Sequence, residues 1–200
     1  MIMFDKISKY MADMIYSTLP DIDPQRREVI EYGVYMTVSE IVKIGFILLV
    51  SLLLGIVPYV AAAIALYGVQ RTLMGGIHAK THIGCMIAHC LIVFGIAAAS
   101  LLLNIGRFYL LAPIAPFSYV CAYKYAPADL PQKPIKSKKQ RKQLRVGGFI
   151  LLTMLFAASL ILPAPWYRIV LYSCFLQALF MTPLVYRISN NKYAREEVSA

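Results

Sequence analysis

Long apolar runs, broken only by glycine, proline and short polar clusters, dominate the sequence from residue 41 to residue 186. The hydrocarbon core of a bilayer has no water to satisfy exposed backbone groups, so Leu-, Ile-, Val- and Ala-rich runs of this length point to membrane-crossing helices rather than barrel strands. Composition agrees: 60% of the 200 residues are apolar and 15% charged, with a mean hydropathy of +0.65, outside the range of soluble domains. Six spans are expected, at about 41–57, 58–74, 83–103, 107–123, 146–162 and 166–186. At roughly 17 to 21 residues each, they reach across the ~30 Å apolar layer. The first continues a helix opened by Asp23 as N-cap and Pro24 at its first position. Pro113 and Pro116 predict a kink or break in the fourth.

Ahead of the spans, Phe4, Ile7, Met11, Met14 and Ile15 recur at spacings of three and four, while Asp5, Lys6, Lys9 and Asp13 fall elsewhere. This pattern predicts an amphipathic helix over 1–22 lying in the membrane interface. It does not read as a cleavable signal peptide, because the charges interrupt any apolar core. The fold class expected is therefore all-α, a polytopic membrane helix bundle with about six transmembrane helices plus the N-terminal interfacial helix, forming one integral membrane domain over 1–200.

Charge placement sets the orientation. The net charge is +10, and eight Lys and Arg lie between Lys124 and Arg145. With that basic loop, 124–145, inside the cell, only Arg107 and Arg168 fall outside, as the positive-inside rule requires. Both termini and the polar stretch around residues 75–85 then face the reducing cytoplasm, which keeps cysteines as thiols. The basic run has few aromatics for base stacking, which argues against nucleic acid. It suits anionic membrane lipid, or an acidic peptide.

The chemistry concentrates in Gly75-Gly76-Ile77-His78-Ala79-Lys80-Thr81-His82-Ile83-Gly84-Cys85. Thiol and imidazole have ordinary pKa values of about 8.5 and 6.5, close enough to make a thiolate nucleophile and its proton acceptor near neutral pH. Cys85 with His78 is one reading. A second takes His78, His82, Cys85 and His89 at i, i+4, i+7 and i+11 as one helical stripe suited to zinc or copper. The glycines and the lack of a membrane carboxylate to orient the imidazoles count against a metal. A transporter or channel is the rival from another class, although no inverted repeat is visible. The four cysteines form no CxxC pair, so neither a disulfide framework nor a zinc ribbon is expected. Arg71 is placed either to anchor the second span or to steady a substrate carboxylate or a tetrahedral oxyanion. Asp129, the sole acidic residue between Ile41 and Arg195, either caps a turn, pairs with a base of its own loop, or orients the histidine.

Arg71, Gly75-Gly76-Ile77-His78-Ala79, Cys85 seven residues beyond the histidine, Pro127-Ala128-Asp129 and Lys133-Pro134-Ile135 occur in an order that resembles the accessory gene regulator protein B family, over nearly the whole chain. The resemblance implies a membrane cysteine endopeptidase of a bacterial quorum-sensing system. Cys85 would be the nucleophile and His78 the base, with Arg71, Gly76 and Asp129 in support. Such an enzyme cuts a propeptide near its C-terminus, holds the remainder as a thioester, and supports closure of a thiolactone or lactone ring. The propeptide's acidic tail would meet Lys133, Lys138, Lys139, Arg141 and Lys142. No metal or cofactor is implied, and a homodimer is compatible with the pattern.

Overall fold

The computed structural model describes residues 9–11, 13–17, 23–77, 81–129, 135 and 137–190. Among them the protein is all-helical. The expected N-terminal helix over 1–22 lies largely outside these residues; within it, 9–11 and 13–17 are helical. The chain forms two compact units, 1–55 and 56–200.

In the first unit, helix α1 (Pro24–Leu53) begins with its proline in the first turn, where the missing N–H costs no bond. Lys43 is 4% exposed and pairs with Glu40 one turn earlier at 2.5 Å, which offsets part of the cost of holding a cation in an apolar stretch. The helix stops four residues short of the expected end, at a turn where Gly55 adopts φ 69°.

The second unit comprises α2 (Val57–Met74), α3 (His82–Leu102), α4 (Arg107–Tyr125), α5 (Lys138–Ile161), α6 (Trp166–Leu179) and α7 (Pro183–Ile188). Among the described residues, three helical segments are long and apolar enough to cross a membrane: Val29–Leu53, Ile83–Leu102 and Lys138–Ile161. The chain is thus a membrane protein. α4 runs through Pro113 and Pro116 as one helical segment, so of the expected kink or break the break does not occur.

Two further differences have clear causes. The basic run expected as loop is partly helix: Ser137 caps α5 by accepting the Gln140 N–H at 3.4 Å, and α5 then carries Lys138 to Arg145 in its first turns. The expected last span divides at 180–182, because Pro183 cannot continue the ladder and Thr182 before it is extended at ψ 148°. What remains as α6 is only 14 residues, about 21 Å at 1.5 Å per residue. It packs against α2, α3, α4 and α5. Tyr167, Ile169, Val170, Leu171 and Cys174 are buried around its circumference, the pattern of a core helix.

At one end of this unit two arginines close the helix termini. Arg107 donates to the carbonyls of Leu160 and Leu162 at 2.5 and 2.6 Å. Arg168 donates to the Ser100 carbonyl at 3.2 Å and to Asn104 Oδ1. These bonds occupy the last carbonyls of α5 and α3, which have no partner within their own helices. They are also the two basic residues that the charge pattern assigns to the outer side.

Candidate active site

The opposite end of the same unit is organised by Gly75. It follows α2 at φ 73° and ψ −151°, a region open essentially to glycine alone. There it forms a parallel bridge with Ala128 of the α4–α5 connection. Gly76 N–H donates to the Ala128 carbonyl, and Ala128 N–H to the Met74 carbonyl, both at 2.8 Å. The Tyr186 hydroxyl of α7 also donates to the Ala128 carbonyl, at 3.2 Å. From α6, Gln177 Nε2 donates to the Gly75 carbonyl at 2.8 Å. Chain segments distant in sequence are thereby tied to the stretch that leads into His78.

A side chain at Gly75 has no room. Its Cβ would lie 2.3 Å from the Ala128 oxygen, and the backbone strain alone is worth about 1–3 kcal/mol. Gly75→Ala should therefore lower the thermal midpoint of the detergent-solubilised protein. A midpoint equal to wild type would show that the bridge is dispensable. Gly76 is confined as well: at φ 129°, an added Cβ would meet Arg71 Nη1 at 3.1 Å and the Phe180 carbonyl oxygen at 3.4 Å.

Asp129, 7% exposed, is fully engaged. Its carboxylate accepts two bonds from Arg141, at 3.3 and 2.5 Å, and one from the Ile135 N–H at 3.1 Å. Arg145 Nε donates to the Ala126 carbonyl at 2.8 Å. Of the roles open to Asp129, the geometry displays pairing with a base of its own loop. A two-point guanidinium clamp of this kind fixes orientation as well as charge. Arg141 is accordingly committed within the chain, whereas Lys138, Lys139 and Lys142 lie exposed on α5. Lys133 lies outside the described residues.

Cys85 sits in the first turn of α3. Thr81 caps that helix, its Oγ1 accepting the Gly84 N–H at 3.1 Å and its carbonyl accepting the Cys85 N–H at 2.9 Å. Cys85 thus lies at the N-terminal, positive end of the α3 dipole. Cys85 is half-buried, as is Cys90, while Cys121 and Cys174 are buried; among the described residues no cysteine forms a disulfide. His78 lies outside the described residues, as does the side chain of His82. The continuous helix that would align His78, His82, Cys85 and His89 is interrupted, since α2 ends at Met74 and Thr81 is extended at ψ 151°.

Arg71 reaches back one turn along α2, its Nη1 donating to the Tyr67 hydroxyl at 3.1 Å. The Tyr67 ring packs edge-on to His89, with centroids 6.3 Å apart, and to Phe180 at 6.4 Å. The sequence reading passed over Tyr67 and Gln177. Each carries a signal: Tyr67 lies four residues before Arg71 on one helical face, and Gln177 is an isolated amide inside an apolar run.

Comparison with known proteins bears on this site. The family model described as "Accessory gene regulator B" matches residues 8–181. A protein named as AgrB-like in Clostridium perfringens strain 13 is 29% identical over 161 residues, 76% of this chain and 73% of the relative. Accessory gene regulator protein B of Staphylococcus intermedius is 29% identical over 134 residues, 67% of this chain and 70% of that protein. No solved structure matches. With the match running from ahead of α1 to the end of α6, the chain belongs to the accessory gene regulator B family.

Proposed function

We propose that the chain is a membrane cysteine endopeptidase that cleaves a quorum-sensing propeptide near its C-terminus. Cys85 is the nucleophile and His78 the general base that takes the thiol proton. The N-terminal part of the propeptide is retained as a Cys85 thioester, and a thiol or hydroxyl within it displaces the enzyme to close the ring. The observation that carries this reading is the position of Cys85 at the capped start of α3, ten residues beyond the Gly75 that is bridged to Ala128. In this reading six spans cross the bacterial cell membrane, α6 and α7 together making the sixth, an amphipathic helix precedes them, and both termini and the site face the cytoplasm.

Forming a thioester from an amide is uphill, so loss of the acidic tail must draw the reaction forward. A site that excludes water then favours the tethered nucleophile, whose effective concentration is high, over hydrolysis. The tail is attracted by exposed basic side chains, each worth roughly 1 kcal/mol near a surface of opposite sign and screened over about 8 Å at physiological salt.

The reading is tested by reconstituting the protein in liposomes with a propeptide that has an acidic tail. Wild-type protein should release the tail, and no release would contradict the reading. Replacing Lys138, Lys139 and Lys142 together by Gln spares Arg141 for Asp129 and leaves Lys124 and Arg145 to hold orientation. The apparent KM should rise several-fold with kcat little changed, because the lost attraction acts on binding. An unchanged KM would mean that the tail is recognised elsewhere.

A further inference from the structure

We propose that the Tyr67 hydroxyl is the hydrogen-bond donor that stabilises the oxyanion formed when Cys85 attacks the scissile carbonyl, with Arg71 holding and polarising that hydroxyl. The proposal rests on the peptidase reading and adds to it a catalytic residue on a different helix from the nucleophile.

The geometry points there step by step. α2 and α3 are consecutive, packed helices, so the end of α2 and the start of α3 lie at the same end of the unit. The Tyr67 ring meets His89 edge-on, and His89 is one turn deeper on α3 than Cys85, on the same face. The Tyr67 hydroxyl is turned toward Arg71, one turn nearer the end of α2. It is held there by Arg71 Nη1, the same nitrogen that closes over Gly76. Cys85 is within electrostatic reach of the phenol.

The hydroxyl oxygen accepts from the guanidinium, which leaves its own proton to donate. Accepting a bond from a cation makes an O–H a stronger donor, since successive hydrogen bonds polarise one another. Tyr67 is 2% exposed, and a fixed donor shielded from water is the arrangement in which oxyanion stabilisation is largest.

The thiolate sulfur bonds to the carbonyl carbon, and the carbonyl π pair moves to oxygen, where the Tyr67 O–H meets it. On collapse that pair reforms C=O and the C–N bond breaks. The departing nitrogen takes the proton that the base removed from the thiol, and Tyr67 keeps its own throughout.

Two reagents separate this role from support of the sulfur, and neither requires the natural propeptide. p-Nitrophenyl acetate acylates Cys85 through a tetrahedral oxyanion; iodoacetamide alkylates the same sulfur by displacement, with no oxyanion. Both rates are read at Cys85 by peptide mass mapping of the full chain in liposomes. Tyr67→Phe keeps the ring and its edge contacts. Acylation should fall by about 10-fold to 100-fold, toward the range seen on removing a single oxyanion donor, while alkylation stays within about twofold.

Parallel falls in both rates would place the effect of Tyr67 on the sulfur and overturn the proposal, and so would unchanged acylation. If wild-type Cys85 were not acylated at all, the peptidase reading itself would fail, which is a separate outcome. Should Tyr67→Phe not insert, Arg71→Gln carries the same test through loss of the polarising cation. Its acylation should fall about tenfold with alkylation preserved, and equal effects on the two rates would again refute the assignment.

Discussion

Cys85→Ala and Cys85→Ser should each reduce propeptide cleavage by more than about 10³-fold, the scale on which removing a catalytic nucleophile is felt. Ala has no nucleophile, and a serine hydroxyl is far less ionised than a thiol beside the same base. Insertion and expression should be preserved, because Cys85 is half-buried and lies outside the packed core. Cys121 and Cys174 belong to that core, so their Ala variants test whether a thiol matters merely by filling space. Those variants and Cys90→Ala should retain cleavage, at a modest cost in stability for the two buried positions. The measurement is tail release by liposome-reconstituted protein, with topology checked by cysteine accessibility. A fully active Cys85→Ala enzyme would end the peptidase reading.

His78→Ala should be nearly as damaging, since without an acceptor for its proton the thiol remains a poor nucleophile at neutral pH. His82→Ala and His89→Ala should retain most activity, because one base suffices. The structure adds a qualification for His89: its ring abuts Tyr67 edge-on, so His89→Ala should cost about 0.5–1.5 kcal/mol of stability through lost aromatic contact. Comparing tail release and thermal midpoint across the three variants separates these effects. An inactive His82→Ala beside an active His78→Ala would move the base to His82 and leave the thioester chemistry standing.

Much of the helix order was legible because punctuation in a membrane chain is strict. Pro24 and Pro58 open helices, Gly75 and Gly76 end one, and the proline pair at 163 and 165 separates α5 from α6. At each of these points a local steric rule agrees with the limits of the apolar run. The readings that changed are those in which tertiary context decides. Lys138 to Arg145 read as loop by charge, yet a Ser137 cap and the absence of glycine or proline until Gly147 let α5 begin among them. The division at 180–182 was signalled by Pro183, but a 21-residue apolar run suggested a full span. The short α6 is stable because it is packed on several sides, a property that hydropathy alone does not distinguish from lipid exposure.

The site was legible in its residue types and less so in its connections. Glycine pair, histidine and cysteine stand together in the sequence. The Gly75 bridge to Ala128 joins residues 53 apart, and the Gln177 bond to Gly75 spans 102 positions. No local pattern reports such pairings. Asp129 drew attention as a lone carboxylate, but only the fold identifies Arg141, one of several bases nearby, as the partner on both its oxygens.

Catalysis by this route requires a bond between the Cys85 sulfur and the propeptide. Wild-type protein in liposomes would be incubated with propeptide, quenched in acid, digested and examined by mass spectrometry. The expected result is a Cys85-containing peptide heavier by the N-terminal part of the propeptide, released by hydroxylamine as a thioester must be, and missing from the His78→Ala protein. Tail release with Cys85 unmodified at every time point, or an adduct on a different residue, would contradict it.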